Sequence, residues 1–219
     1  MIRPSSNRSF RRSIALAALV VPALLLAGCD RNPLVVRRSS CPAVAVAAYV
    51  GDTTLFRPAA AGAVADAANM EAVATITNVR DECAETSDQF VSRITYDVIV
   101  RRTDAAQARQ IMLPVFAAVV QAGNIVNAKQ ISQVAVNFAA GQERAVAQGT
   151  ATAAVSRTAA AVPQAILDKI NRKRRPGELD AATDPMADPE VRAALRAASF
   201  EVLLGFQLDD RALAYNIAK

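Results

Sequence analysis

The sequence contains no histidine. Imidazole is the base of Ser-His-Asp and Cys-His catalysis and a common metal ligand, so its absence excludes those mechanisms and any imidazole-ligated metal site. Glycine is scarce, with 8 residues in 219, and no Gly-rich phosphate loop or dinucleotide fingerprint occurs. Cysteine appears only at Cys29, Cys41 and Cys83. A bilayer-spanning helix needs roughly 20 apolar residues, and the apolar run near the N-terminus, Ile14 to Ala27, has 14. Acidic residues are missing from the first 28 positions, which hold Arg3, Arg8, Arg11 and Arg12. The whole chain has 25 basic and 20 acidic residues, so the part after residue 28 has 21 and 20, a net charge of +1. The high isoelectric point therefore belongs largely to the leader and makes no case for a nucleic-acid partner.

A basic leader, a short apolar run interrupted by Pro22 and the sequence Leu26-Ala27-Gly28-Cys29 follow one another in that order. The run is too short for a stable span, so the segment reads as a removable signal peptide rather than an uncleaved anchor. Leu26-Ala27-Gly28-Cys29 resembles the lipobox of bacterial lipoproteins. The resemblance implies that residues 1–28 are cut away, that Cys29 carries a thioether lipid, and that 191 residues remain. It also implies an anchor of two or more acyl chains, which holds a protein stably where one chain does so only marginally. Asp30 directly after the lipid cysteine resembles the inner-membrane retention signal of enteric bacteria, so the placement is the cell envelope, facing the periplasm, with either membrane open. Asp30 to Ser40 reads as a tether, polar at both ends and broken by Pro33. Its eleven residues reach at most about 40 Å. Arg37 and Arg38 could touch anionic headgroups or simply be solvated.

With Cys29 assigned to lipid, Cys41 and Cys83 remain as an even pair in an oxidising compartment and are read as a disulfide. Two buried free thiols are the alternative. Cys41 precedes one expected strand and Cys83 follows the next; antiparallel pairing of those strands would bring the sulfurs together.

From Cys41 onward the pattern is mainly β. Val44, Val46 and Ala48 alternate up to Gly51-Asp52, and Glu71 to Val79 is rich in Thr, Val and Ile. In Val91 to Arg102, Ile94, Tyr96, Val98 and Val100 share one face, the period of a half-buried strand. Ile111 to Val120 is apolar on both faces, and Pro114 within it predicts a bulge or an edge position. Gln121-Ala122-Gly123-Asn124 predicts a hairpin turn into a strand from Ile125. Val134, Val136 and Phe138 alternate up to Gly141-Gln142, and the Ala/Thr-rich stretch Arg144 to Ser156 is read as a strand. Val162 to Arg174 carries Ile166, Leu167 and Ile170 at helical spacing after Pro163, and Asp188-Pro189-Glu190 caps a second helix to about Ala198. The final strand, Phe200 to Leu208, turns Phe200, Val202, Leu204, Phe206 and Leu208 to one side, and Asp209 can cap a last helix with Leu213, Tyr215 and Ile217. The expected fold is an antiparallel β-sandwich of immunoglobulin-like layout over residues 41–219, about seven short strands, with a helical insertion at 162–198 and a short C-terminal helix.

Cys41-Pro42, Cys83, Gly205-Phe206-Gln207-Leu208 and Ala214-Tyr215-Asn216 together resemble small envelope lipoproteins of alphaproteobacteria. The match is scattered over most of the chain after residue 28, and the insertion departs from that family's short connection. The family has no assigned activity, so the resemblance implies place and fold rather than chemistry.

The candidate chemical features are few. Asp81, Glu82, Glu85 and Asp88 cluster around Cys83; paired carboxylates can do acid–base work, and solvated acids in a polar loop are the plainer reading. Asp180, Asp184 and Asp188 are four apart but lack the glycine and closing glutamate of a calcium loop, which leaves turn and cap roles. Lys169, Arg172, Lys173, Arg174 and Arg175 gather at the end of the first inserted helix. They suit contact with anionic lipid or an acidic partner, or a solvated helix end favoured by the dipole. The expectation is a non-catalytic structural or interaction module, with no cofactor, metal or catalytic residue, partnered by the membrane through its lipid and by another envelope protein. The alternative is a small-ligand or lipid-binding module using the Ile111 to Val120 hairpin or the Phe-rich final strand, and a hydrolase is third.

Overall fold

Strand alternation sorts the apolar residues onto the facing sides of two four-stranded sheets. The computed structural model describes residues 40–57, 67–179 and 181–218. The expected signal peptide, Cys29, the tether as far as Ser39, and Asp180 lie outside the described residues. One sheet has the order β1 (Ala43–Val46), β8 (Phe200–Phe206), β5 (Arg109–Gln121), β6 (Ile125–Phe138). The other has the order β2 (Asp52–Phe56), β3 (Met70–Glu85), β4 (Gln89–Arg102), β7 (Arg144–Ser156). The mainly β sandwich with a helical insertion and a short C-terminal helix is thus the fold. Among the described residues it has eight strands rather than about seven, five of them longer than a dozen residues. One pairing departs from the antiparallel expectation: β1 runs parallel to β8, with Ala43 opposite Glu201.

The core lies where the predicted faces meet. Ile94, Tyr96, Val98 and Val100 of β4 are at most 1% exposed. They belong to one cluster with Leu113 and Val115 of β5, Val136 of β6, and Val202, Leu204 and Phe206 of β8. Each such side chain contributes roughly 1.5–3 kcal/mol through burial. The β5–β6 turn forms as expected. Ala122 and Gly123 both have positive φ, 58° and 82°, and the Asn124 N–H donates to the Gln121 carbonyl at 3.2 Å, the twist that suits a tight hairpin.

Pro114 corrects one expectation. β5 is an inner strand, and its bulge falls between Val119 and Val120, not at the proline. Pairing with β8 stops at Val115–Phe206, and the Pro114 carbonyl accepts from Gln207 N–H at 2.8 Å. Proline has no N–H to return that bond to Gln207, so the ladder between β5 and β8 ends at this pair. Strand β2 was not foreseen at all; the β pattern was expected to pause at Gly51-Asp52, where β2 begins.

The insertion carries α1 (Gln164–Asn171) and α2 (Pro189–Ala197). The first is shorter than expected and begins after Pro163. Ile166 of α1 and Val191 of α2 are buried. Asp188 caps α2 by accepting from Glu190 N–H, and Asp184 caps the short turn before it by accepting from Met186 N–H, so both perform cap roles. The last helix, α3 (Asp210–Ala218), starts with Asp209 Oδ1 accepting from Ala212 N–H at 2.7 Å. Its Asn216 Nδ2 donates to the carbonyls of Tyr49 and Asp52 at 2.9 and 2.7 Å, and Tyr215 meets Phe56 edge-on at 5.1 Å. These contacts fasten α3 across the β1–β2 turn.

Candidate functional site

The strand registers give the sandwich two ends with different chemistry. At the first end lie the start of β1, the end of β3, the start of β4, the end of β5, the end of β7 and the start of β8. This follows from the pairs Ala43–Glu201, Gln121–Phe200, Glu85–Phe90 and Gln89–Ser156. Cys41 and Cys83 form a disulfide here, with Cα atoms 6.2 Å apart. The bond is as expected, but its geometry is not: the strand after Cys41 pairs with β8, and Cys83 lies within β3 of the other sheet, so the bond joins the two sheets rather than two neighbouring strands.

The insertion leaves and rejoins the sandwich at this same end. Arg157 N–H donates to the Asp88 carbonyl at 2.8 Å, and the Arg157 guanidinium pairs with Glu85 at 3.2 Å. On the return, Gln121 Nε2 donates to the Ala197 carbonyl at 2.7 Å, and Ala122 N–H donates to the Ser199 carbonyl at 3.1 Å. The basic cluster is split. Lys169 alone lies in α1, ion-paired with Glu190 of α2, and Asp188 is 4.0 Å away. That pairing holds its ammonium pKa above the ordinary lysine value. Arg172, Lys173, Arg174 and Arg175 follow the helix rather than ending it; Lys173 and Arg175 are exposed, and Arg172 and Arg174 have interactions of their own.

The acidic group around Cys83 is not in a loop. Asp81, Glu82 and Glu85 belong to β3, which is solvated on both faces over this stretch, and only Asp88 sits in the turn to β4. Ser92 Oγ donates weakly to Asp81 at 3.4 Å, Glu85 holds Arg157, and Asp88 accepts from Thr86 Oγ1 at 3.1 Å. Their side chains serve the strand end and its turn. Among the described residues, no three acids or cysteines gather in a way that could hold a metal ion.

The second end has a cleft of about 430 Å³ between β2, the middle of β5, the end of β8 and the first turn of α3. Leu55, Leu113, Pro114, Phe206 and Leu208 supply its apolar wall. Arg57, Asp209 and Arg211 stand among its lining groups. Its volume falls in the range of small-ligand sites. Gln121, at the first end, and Leu113 are eight residues apart on β5, so at about 3.3 Å per residue the cleft stands roughly 26 Å along the strand from the disulfide end.

Beside the cleft lies a feature that sequence reasoning passed over. Arg102 is 5% exposed and has no carboxylate partner among the described residues. Its guanidinium instead donates to four backbone carbonyls: Gln142 at 2.8 Å, Gln107 at 2.7 Å, Ala105 at 3.2 Å and Ala139 at 2.9 Å. It also lies 4.7 Å from the centre of the Phe138 ring. One side chain thus clamps the β4–β5 loop to the β6–β7 loop. The signal was present: positions 94, 96, 98 and 100 are the inward face of β4, and 102 continues it.

A smaller cavity of about 270 Å³ opens between the sheets beside β6 and β7, lined in part by Tyr96, Ala117, Gln130, Ser132 and Ala151. Tyr96 is 1% exposed, and no group makes a well-formed hydrogen bond to its hydroxyl. Burial raises the phenol pKa above its ordinary value, with the Ser132 hydroxyl pulling weakly the other way. Gly149 is what admits the ring, since a Cβ there would overlap it.

No known protein family, curated protein or solved structure matches this chain.

Proposed function

We propose that this protein is a lipid-anchored, periplasm-facing envelope protein that acts by contact and not by catalysis. The observation that carries the reading is the position of the Cys41–Cys83 disulfide. It secures the point where the tether reaches the domain, and it does so at the end opposite the cleft. A domain held that way keeps one end near its membrane and offers the other to the periplasm. The disulfide also suits an oxidising compartment, and the lipobox resemblance at Leu26-Ala27-Gly28-Cys29 supplies the anchor. The scattered likeness to small alphaproteobacterial lipoproteins points to the same place. Of the acids near Cys83, Asp81, Glu85 and Asp88 make strand-end contacts.

The test starts with location. Replacing Cys29→Ser should leave an uncleaved or mislocalised precursor, and mass spectrometry of the wild-type protein should find Cys29 lipid-modified; an unmodified Cys29 in the mature protein refutes the anchor. A photo-crosslinker at an exposed position of the cleft end should then capture a specific envelope protein in intact cells.

A small-ligand module is the second reading, and the cleft favours it. Its walls come from the two segments expected for such a site, Leu113-Pro114 of β5 and Phe206-Gln207-Leu208 at the end of β8. A ligand that co-purifies with the protein and is displaced when Leu113→Trp fills the cleft would establish this reading over the first.

A further inference from the structure

The segment joining α1 to the second part of the insertion is Arg172-Lys173-Arg174-Arg175-Pro176-Gly177-Glu178-Leu179, four cations and one acid. Pro176 and Gly177 turn the chain sharply, and Gly177 has φ +96°, a conformation that side chains rarely adopt. Lys173 and Arg175 point into solvent. Leu179 is fully exposed. A solvated leucine beside a run of cations stabilises nothing within the domain. It is the composition of a surface that meets anionic lipid, where cations sit at phosphates and an apolar side chain enters the headgroup layer.

The roots of the insertion point to the lipid this segment would meet. Both roots of the insertion lie at the disulfide end, at Arg157 beside Glu85 and at Ser199 beside Ala122. The described chain also begins at that end, with Ser40 and Cys41. The eleven residues between Cys29 and Cys41 reach at most about 40 Å. Lys169 belongs to a different task, since Glu190 and Asp188 occupy it.

We propose that the 172–179 tip rests on the anionic headgroups of the membrane that holds the lipid anchor. Lys173 and Arg175 meet lipid phosphates, Leu179 enters the interface, and the domain is fixed with its cleft end turned away. The inference rests on the lipid-anchored reading: the acyl chains hold the protein, and the tip orients it.

The test uses the full, lipidated protein in vesicles of phosphatidylcholine with or without phosphatidylglycerol. A fluorophore is placed on a cysteine at the tip (Leu179→Cys) or at the far end (Ala140→Cys, an exposed position in the β6–β7 loop), and a headgroup spin-labelled lipid serves as quencher. The tip label should be quenched several-fold more than the far-end label in phosphatidylglycerol vesicles. That difference should vanish in pure phosphatidylcholine, in high salt, where charge interactions are screened within a few ångströms, and with Lys173→Glu/Arg175→Glu. All substituted positions are exposed, so the fold stays intact, and circular dichroism checks it. Equal quenching at both positions in protein that floats with the vesicles overturns the inference and leaves the anchor standing, as does tip quenching indifferent to phosphatidylglycerol and salt. Protein that does not float overturns the anchored reading and this inference with it.

Discussion

Replacing Arg102→Met removes a buried guanidinium while keeping a long unbranched stem in the same space. Four carbonyls, those of Ala105, Gln107, Ala139 and Gln142, then lose their donor. A hydrogen bond to a charged group contributes about 1.5–3 kcal/mol, so the four together amount to roughly 6 kcal/mol or more. Two effects reduce that figure. Gln107, Ala139 and Gln142 are exposed loop residues, so water can reach some of the freed carbonyls. The charge itself carried a desolvation cost that disappears with it. The stacking on Phe138 at 4.7 Å is lost as well, at about 0.5–2 kcal/mol. The net expectation is a loss of about 3 kcal/mol, a large share of the roughly 5–15 kcal/mol typical of a folded domain.

Urea denaturation followed by circular dichroism measures it. The midpoint should fall with an unchanged slope, because the surface exposed on unfolding is the same. Arg102→Lys should restore less than half of the loss, since an ammonium has three donors and no planar fork to reach four carbonyls in two loops. Arg101→Met, on the exposed face of the same strand, is the control and should change stability by no more than about 0.5 kcal/mol. Amide exchange in residues 103–108 and 139–143 should accelerate in the Met variant before the strands are affected. A loss below about 1 kcal/mol, or one equalled by Arg101→Met, refutes the clamp.

The other predictions concern the disulfide and Tyr96. Cys41→Ser/Cys83→Ser opens a cross-link of 42-residue separation, worth about 4 kcal/mol in the chain-entropy account; an unchanged unfolding midpoint after reduction would contradict it. Tyr96 has its folded pKa raised above the unfolded value near 10 by burial, so the stability linked to its proton is complete below about pH 10 and disappears as pH rises through the raised value. Of the three tyrosines, one should therefore resist ionisation in an ultraviolet titration until the protein unfolds, and Tyr96→Phe should remove that resistant fraction; a wild-type titration with three ordinary tyrosines counts against the buried phenol. Gly149→Val should cost at least about 2 kcal/mol by overpacking against the Tyr96 ring, and Gly149→Val/Tyr96→Ala should recover part of it in the same urea melt.

Much of the fold was legible because period two survives in long strands. β4, the second half of β6 and β8 announce themselves through Ile94 to Val100, Val134 to Phe138 and Phe200 to Phe206. β2 did not, because its consecutive Thr53 and Thr54 are both buried and five residues leave no room for alternation to show. The outer half of β3 reads as a loop for the opposite reason: Asp81 to Glu85 is largely solvated on both faces, so no large apolar residue marks the strand, and its ladder to Phe90–Ile94 of β4 and the Cys83 disulfide hold it. The disulfide was legible from the parity of cysteines in a chain whose start reads as an export signal, while the strand pairing behind it was not, because the parallel register of β1 on β8 joins residues more than 150 apart. The cleft was half-legible. Its β5 and β8 walls lie in apolar runs that stand out, but β2 and α3 come from opposite ends of the domain sequence, and only tertiary contact brings them together.

The arrangement at the disulfide end would have a mechanical consequence in the proposed anchored protein that neither the strand order nor the disulfide conveys alone. β1 is four residues long, lies at the edge of its sheet and pairs in parallel with β8 only. Parallel pairing is the weaker kind per residue, and an edge strand is held from one side. Any pull that a lipid anchor exerts enters at Ser40, next to that strand. Without a cross-link, tension would peel β1 from Ala43 onward, one ladder bond at a time. Cys41 intercepts the tension two residues earlier and passes it to Cys83, which lies within β3, opposite Ser92 of β4. There the same force acts along a long antiparallel ladder running from Ala72 to Glu85, whose bonds share the load instead of breaking in turn. The bond between the sheets would therefore protect a short edge strand at the place where an anchor would stress it, so its position, more than its mere presence, suits the proposed tether.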